Sequence, residues 1–130
     1  MIKVYVSTNC SSCKRAKNWL QEHRLEFEVV NLSTTPVLKE ELIKILRRSE
    51  NGLNDIISTR SNSYQNLNAD IEELHFEEML SLIRQDNSLL RLPIIFDEQH
   101  FQVGFTEGRI RQFISPEMRK VKADMGKIKK

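Results

Sequence analysis

The chain has 130 residues, 39% of them hydrophobic and 29% charged, with 4 glycines, 3 prolines and 2 cysteines, proportions that exclude collagen-like, low-complexity and disulfide-scaffold classes. A chain of this size buries enough surface to hold together without metal or disulfide staples, and no apolar run approaches the roughly 20 residues of a membrane helix. The net charge of +2 conceals a division, because residues 1–115 carry 14 Lys and Arg against 16 Asp and Glu, whereas residues 116–130 carry 6 against 2. Residues 1–118 are expected to form a single domain. Residues 119–130 read as a basic, flexible tail that serves solubility or meets an acidic partner such as nucleic acid. No basic stretch leading into an apolar one opens the chain, so the cytoplasm is the expected address.

Ile2-Lys3-Val4-Tyr5-Val6 alternates apolar and polar residues and is rich in β-branched types, which predicts a strand. From Ser11 the period changes: Cys13, Ala16, Trp19, Leu20 and Leu25 recur at helical intervals, with charged residues between them. Residues 27–32 read as a second strand, and the single intervening helix makes the two strands parallel. Thr35-Pro36 predicts the start of a helix whose apolar stripe is Leu38, Leu42, Ile45 and Leu46, closed by Asn51-Gly52 with glycine in the left-handed conformation. Leu53, Ile56 and Ile57 suggest a short helix, residues 58–68 are polar, and residues 71–83 predict a further helix bounded by Asp86-Asn87. Leu92-Pro93 opens a strand at Ile94-Ile95-Phe96, and Phe101-Gln102-Val103-Gly104 pairs with it as a hairpin. Thr106 is expected to cap a last helix reaching Ile114. This order is that of an α/β, thioredoxin-like fold. It has a mixed four-stranded sheet, with a helical insertion at about residues 35–90 between the second and third strands.

Both cysteines lie in Cys10-Ser11-Ser12-Cys13, between a strand and a helix. Free N–H groups and the positive end of the helix dipole favour a thiolate there, so Cys10 is expected to have a lowered pKa and to attack, with Cys13 resolving. A spacing of two residues on a first helical turn lets the sulfurs close a disulfide. Zinc is the competing reading of such a pair, but it needs two more ligands, and His23, His75 and His100 form no ligand motif. A Cys-x5-Arg phosphatase loop is excluded because the sixth residue after Cys10 is Ala16.

The stretch YVSTNCSSCKRAK over residues 5–17, ILRRSENG over 45–52, DIISTRS over 55–61, LLRLPII over 89–95 and Val103-Gly104 together resemble the Spx family. This family of bacterial regulators lies in the arsenate-reductase-like branch of thioredoxin folds. The likeness runs from residue 2 to about 118. It implies a transcriptional regulator that binds the C-terminal domain of the RNA polymerase α subunit under thiol stress. Such a regulator meets promoter DNA only together with polymerase, is handled by the Clp protease machinery and uses no cofactor or metal. The free protein is expected to be a monomer.

By the same resemblance Cys10 and Cys13 form the switch disulfide, Gly52 meets the α subunit, and Arg47 and Tyr5 lie near that surface. For Gly52 a purely conformational role as a helix stop stays open. The family places Arg-Pro where this chain has Leu92-Pro93, so an oxyanion site is weakened, and Arg60 and Arg91 remain as charges for the thiol site. The proline is expected to be cis. Residues 126–130, GKIKK, lack the small apolar ending that marks some members for Clp. Two enzymatic alternatives use Cys10 as nucleophile: a glutaredoxin-linked arsenate reductase and a general dithiol oxidoreductase.

Overall fold

A computed structural model describes residues 1–59, 61–67 and 73–114. Its strands are β1 (Ile2–Val6), β2 (Phe27–Asn31), β3 (Ile94–Phe96) and β4 (Phe101–Val103). They form one sheet of order β2-β1-β3-β4. β1 runs parallel to β2, with Ile2 opposite Phe27, and antiparallel to β3, with Val4 opposite Ile95. β3 and β4 make the expected antiparallel hairpin. The helices are α1 (Ser11–Glu22), α2 (Lys39–Arg48), α3 (Leu53–Ile56), α4 (Asn62–Gln65), α5 (Phe76–Gln85) and α6 (Glu107–Ile110). Four of them lie between β2 and β3, where the insertion was expected. No helix among the described residues is long and apolar enough to cross a membrane.

Alternation along β1 sends Ile2, Val4 and Val6 to one face of the sheet. There they pack with Cys13, Ala16, Trp19 and Leu20 of α1 and with Ile110, Phe113 and Ile114. Tyr5 points to the other face, among Leu42 and Ile45 of α2, Ile56 and Ile57, and Met79, Leu80 and Ile83 of α5. Both faces of the central strand are therefore covered, and the molecule has three layers. The first cysteine sits where β1 hands over to the helix packed on its first face.

Four local expectations are corrected. α2 begins at Lys39 rather than beside Thr35-Pro36, because Thr35 is still held in the turn after β2 by its N–H to Asn31 O at 2.9 Å. Glu41 starts the helix by accepting the Leu38 N–H at 3.0 Å. Gly52 is not the terminator of α2, which ends through Ser49. It stands ahead of α3 at φ 62, ψ −130, so the positive φ is present but the conformation is not the left-handed helical one. α5 starts at Phe76, with the His75 N–H given to the Glu78 carboxylate; residues 68–72 lie outside the described residues. The last helix is one α-turn that tightens into a 3-10 turn over Arg111–Phe113, a common way for short helices to satisfy their last carbonyls.

Long-range polar contacts fasten the layers. Arg48, the last residue of α2, donates to Asp97 O at 2.6 Å and His100 O at 3.1 Å and so fixes the turn between β3 and β4. The Tyr5 hydroxyl donates to Glu41 Oε2, whose carboxylate also pairs with Lys3 at 3.4 Å. Burial, then this hydrogen bond, drives the Tyr5 pKa far above its ordinary value. Burial alone would raise Glu41, but bonds from Tyr5 and Leu38 and the Lys3 charge outweigh it and hold its carboxyl below the usual carboxylate value.

A carboxylate whose pKa is depressed in the folded state adds stability above its unfolded pKa, and that stability disappears as the pH falls through the folded one. Tyr5→Phe is accordingly expected to cost about 1–2 kcal/mol near neutral pH. The gap to wild type should narrow below about pH 4, as followed by urea denaturation across pH. A pH-independent difference would show that the hydroxyl acts through packing alone.

Candidate functional site

Cys10 is the N-cap residue of α1 and has extended backbone angles, φ −106 and ψ 110. Its Sγ accepts the Cys13 N–H at 3.2 Å, the place an aspartate or serine oxygen takes in an ordinary helix cap. A sulfur held there receives a free donor of the first turn and the favourable end of the helix dipole. The Cys10 thiol in turn donates a hydrogen bond to Leu92 O at 3.8 Å. Both cysteines are free thiols.

Cys13 lies one turn further on and is 1% exposed. Burial, then a hydrogen bond to the Cys10 side chain, pushes its thiol up to about 12, against smaller opposing effects of the Ser7 backbone and Lys17. The two sulfurs thus have different surroundings, Cys10 half-buried at a cleft and Cys13 buried in the core with its thiol form favoured. Iodoacetamide at neutral pH is expected to label a single thiol, and peptide mass spectrometry should place the label on Cys10. Equal labelling of Cys13 in the native protein would contradict this division.

The cleft in front of Cys10 has a volume of ≈ 480 Å³ and is lined by Ser7, Asn9, Ser11, Ser12, Ser58, Ser88, Arg91 and Leu92. Four chain regions meet there, the fourth being Gly104 after β4, and the serines at 58 and 88 carry no local signal that could have announced them. Arg91, expected as a charge for the thiol site, does line this cleft. It also lines a neighbouring hollow of ≈ 280 Å³ with Arg48, Glu50, Asp55 and Arg109. Arg60 lies outside the described residues, as does the basic tail. Leu92 offers its carbonyl rather than a side-chain donor, and the Leu92–Pro93 bond is cis, as expected. Among the described residues no three His, Cys, Asp or Glu side chains are gathered in a way that could hold a metal ion.

The expected docking residues separate. Arg47 is exposed on the last turn of α2, and Gly52 lies partly exposed four residues beyond its end. Nothing lies within 4 Å of the place a Cβ would occupy at Gly52, so bare backbone faces open space. Tyr5 does not belong with them. It is 1% exposed and its hydroxyl is spent on Glu41, so it supports α2 from within and cannot touch a partner directly. Asp55 is a residue that sequence reasoning missed. Its carboxylate accepts from Asn51 N at 2.9 Å and Nδ2 at 3.2 Å, clamping the Gly52 turn, and the Asn51 backbone bond leads the effects that hold its pKa below the ordinary value. An Asn and an Asp four residues apart were the available signal.

The ArsC family matches residues 5–113 of the chain. A global transcriptional regulator Spx of Streptococcus pyogenes serotype M3 is 43% identical over 129 residues, covering 99% of this chain and 96% of the relative. The protein of the same description from Streptococcus agalactiae serotype V is 46% identical over 120 residues, covering 92% and 88%. The chain belongs to the Spx family. Solved structures agree on the fold of this Spx-family chain. A Staphylococcus aureus protein superposes with a TM-score of 0.71 at 25% identity, covering 88% of this chain and all of the other. A possible arsenate reductase from Streptococcus mutans superposes at 0.67 and 24% identity, covering 81% and 91%. Spx membership gives the cysteine pair its context, and the side chains around it define what this member can do chemically.

Proposed function

We propose that the protein is a cytoplasmic, redox-sensing transcriptional regulator that binds the C-terminal domain of the RNA polymerase α subunit and alters promoter use when Cys10 and Cys13 are oxidised. Promoter DNA is met only within the polymerase complex, with Arg109, Arg111 and the basic tail as its basic groups. Turnover of the regulator by the Clp protease machinery belongs to the same reading. The observation that carries it is the thiol pair itself: Cys10 Sγ caps α1 by accepting the backbone N–H of the buried Cys13 at 3.2 Å, with both cysteines as free thiols. Family membership supplies the link to transcription.

In the switching reaction the Cys10 thiolate attacks a hydroperoxide. An S–O bond forms to the terminal OH, the O–O bond breaks, and the departing alkoxide leaves as the alcohol after taking up the proton that the thiol had released to solvent. Cys13 sulfur then attacks the sulfenic acid, the S–S bond forms, the S–O bond breaks and water departs. Two thiols have lost two electrons and the peroxide has gained them.

The matching experiment is capture of purified protein on the immobilised α C-terminal domain, reduced and after peroxide treatment. Retention is expected, and absence of retention in both states would remove the reading. Arsenate reduction is the rival suggested by the ArsC match and by Arg91 at the cleft. A transferable oxyanion needs several fixed donors around it, and Leu92 contributes no side-chain donor beside Cys10. No arsenate turnover above background is expected with glutaredoxin and glutathione.

A further inference from the structure

Two segments that belong to no strand join the thiol site to the Gly52 turn. Residues 56–58 leave α3, residues 89–91 lead to Leu92, and they pair antiparallel with Ile57 facing Leu90. Ser58 N–H donates to Leu89 O and Arg91 N–H donates to Ile56 O, each at 2.7 Å, among the shortest backbone bonds outside the regular elements. At one end of this bridge the Leu92 carbonyl accepts a hydrogen bond from the Cys10 thiol at 3.8 Å. At the other end α3 is a single turn running back to Gly52, whose carbonyl accepts the Asp55 N–H at 3.1 Å. Ile56, Ile57, Leu89 and Leu90 are all buried. Close-packed interiors transmit displacements because they do not deform freely, so movement at Leu92 reaches α3 through two short hydrogen bonds and four packed side chains.

We propose that the bridge between residues 56–58 and 89–91 conveys the redox state of Cys10 to the Gly52 turn. The proposal rests on the reading above for the importance of Gly52 and names how that surface is controlled. Formation of the Cys10–Cys13 disulfide, with a hydroperoxide as oxidant, removes the S–H that Cys10 gives to Leu92 O and draws Sγ towards Cys13. Leu92 O loses its partner, the approach to the bridge resettles, and α3 follows with the bare backbone at Gly52. A thiol reaction is thereby read at a surface formed by a different part of the chain.

The test is amide hydrogen exchange on the full chain, reduced and peroxide-oxidised. Exchange within residues 53–57 is expected to change by about threefold or more in wild type. Ser58→Pro deletes one bridge donor, and Ile57 at φ −89, ψ 132 already has a backbone that tolerates a following proline. In that variant the change at residues 10–13 should persist while the change at 53–57 disappears, and Ser58→Ala, which keeps the N–H, should respond like wild type. If Ser58→Pro does not fold, Arg91→Pro deletes the other donor after Leu90 at φ −87, ψ 143. Wild-type protein whose oxidation alters residues 10–13 but leaves 53–57 untouched would overturn the proposal, as would a folded proline variant that still responds at 53–57. Capture on the α C-terminal domain is measured on the same samples. Failure of capture with the exchange response intact refutes the docking partner and supports the bridge, whereas capture without the response refutes the bridge alone.

Discussion

Gly52→Arg is expected to abolish retention on the α C-terminal domain, weakening it by about a hundredfold or more, the loss expected when the centre of a contact is obstructed. Two physical effects act together in this substitution. A Cβ at φ 62, ψ −130 lies in a region that only glycine enters readily, at a cost of about 1–2 kcal/mol. The remaining side chain then extends into space that is empty in the free protein, so it clashes with an approaching partner and not with the fold. Gly52→Ala separates the two effects, since it brings the backbone strain with a single methyl. Its stability loss in urea should match that of Gly52→Arg within a few tenths of a kcal/mol, while its retention should be far less affected. If Gly52→Arg is retained as well as wild type, Gly52 is a conformational residue and the docking face lies elsewhere.

Cys13→Ala should change the fate of Cys10 under excess hydroperoxide. In wild type the buried Cys13, whose backbone N–H already reaches Cys10 Sγ at 3.2 Å, is expected to capture the sulfenic acid as a disulfide, so that a thiol reductant recovers nearly all of the reactive cysteine. Without that partner the sulfenic acid meets further peroxide and proceeds to the sulfinic acid, which thiols do not reduce. The recoverable fraction of Cys10, read by iodoacetamide labelling after reduction, is expected to fall to nearly none. Removal of one buried sulfur costs roughly 1 kcal/mol, so the variant should remain folded. Alanine is preferred to serine here because a hydroxyl among Val4, Val6, Ala16 and Leu20 would carry its own burial penalty. Full recovery of Cys10 in Cys13→Ala would show that Cys13 does not resolve it.

Both expectations depend on features with different origins. The thiol pair was legible in the sequence because each step towards it is local. The β-branched alternation at residues 2–6 makes a strand, the change of period at Ser11 makes a helix, and the motif falls at the junction. The cap formed by Cys10 Sγ on Cys13 N–H follows from three residues of separation. The hairpin at Phe101 was legible for the same reason, with two apolar runs and a short polar turn between them. The residues expected at a docking surface differ in exposure. Arg47 and Gly52 are accessible, but Tyr5 carries a hydroxyl that says nothing about which layer will cover it, and the fold buries it.

Local sequence thus determined the order of the strands and the longer helices but not the one-turn helix α4 within the polar stretch, along with the parallel and antiparallel sense of the sheet and the position of two cysteines at the mouth of a helix. Hydrophobic period and capping chemistry act over a few residues, so a reader of the chain has access to them. The tertiary structure alone decided that Glu41 answers Tyr5, that Ser58 and Ser88 share a cleft with Cys10, and that Ile57 pairs with Leu90. Each of these joins residues more than thirty positions apart, or brings several chain segments together. Their pairing follows from how the layers close over the sheet, and no stretch of neighbouring residues encodes it.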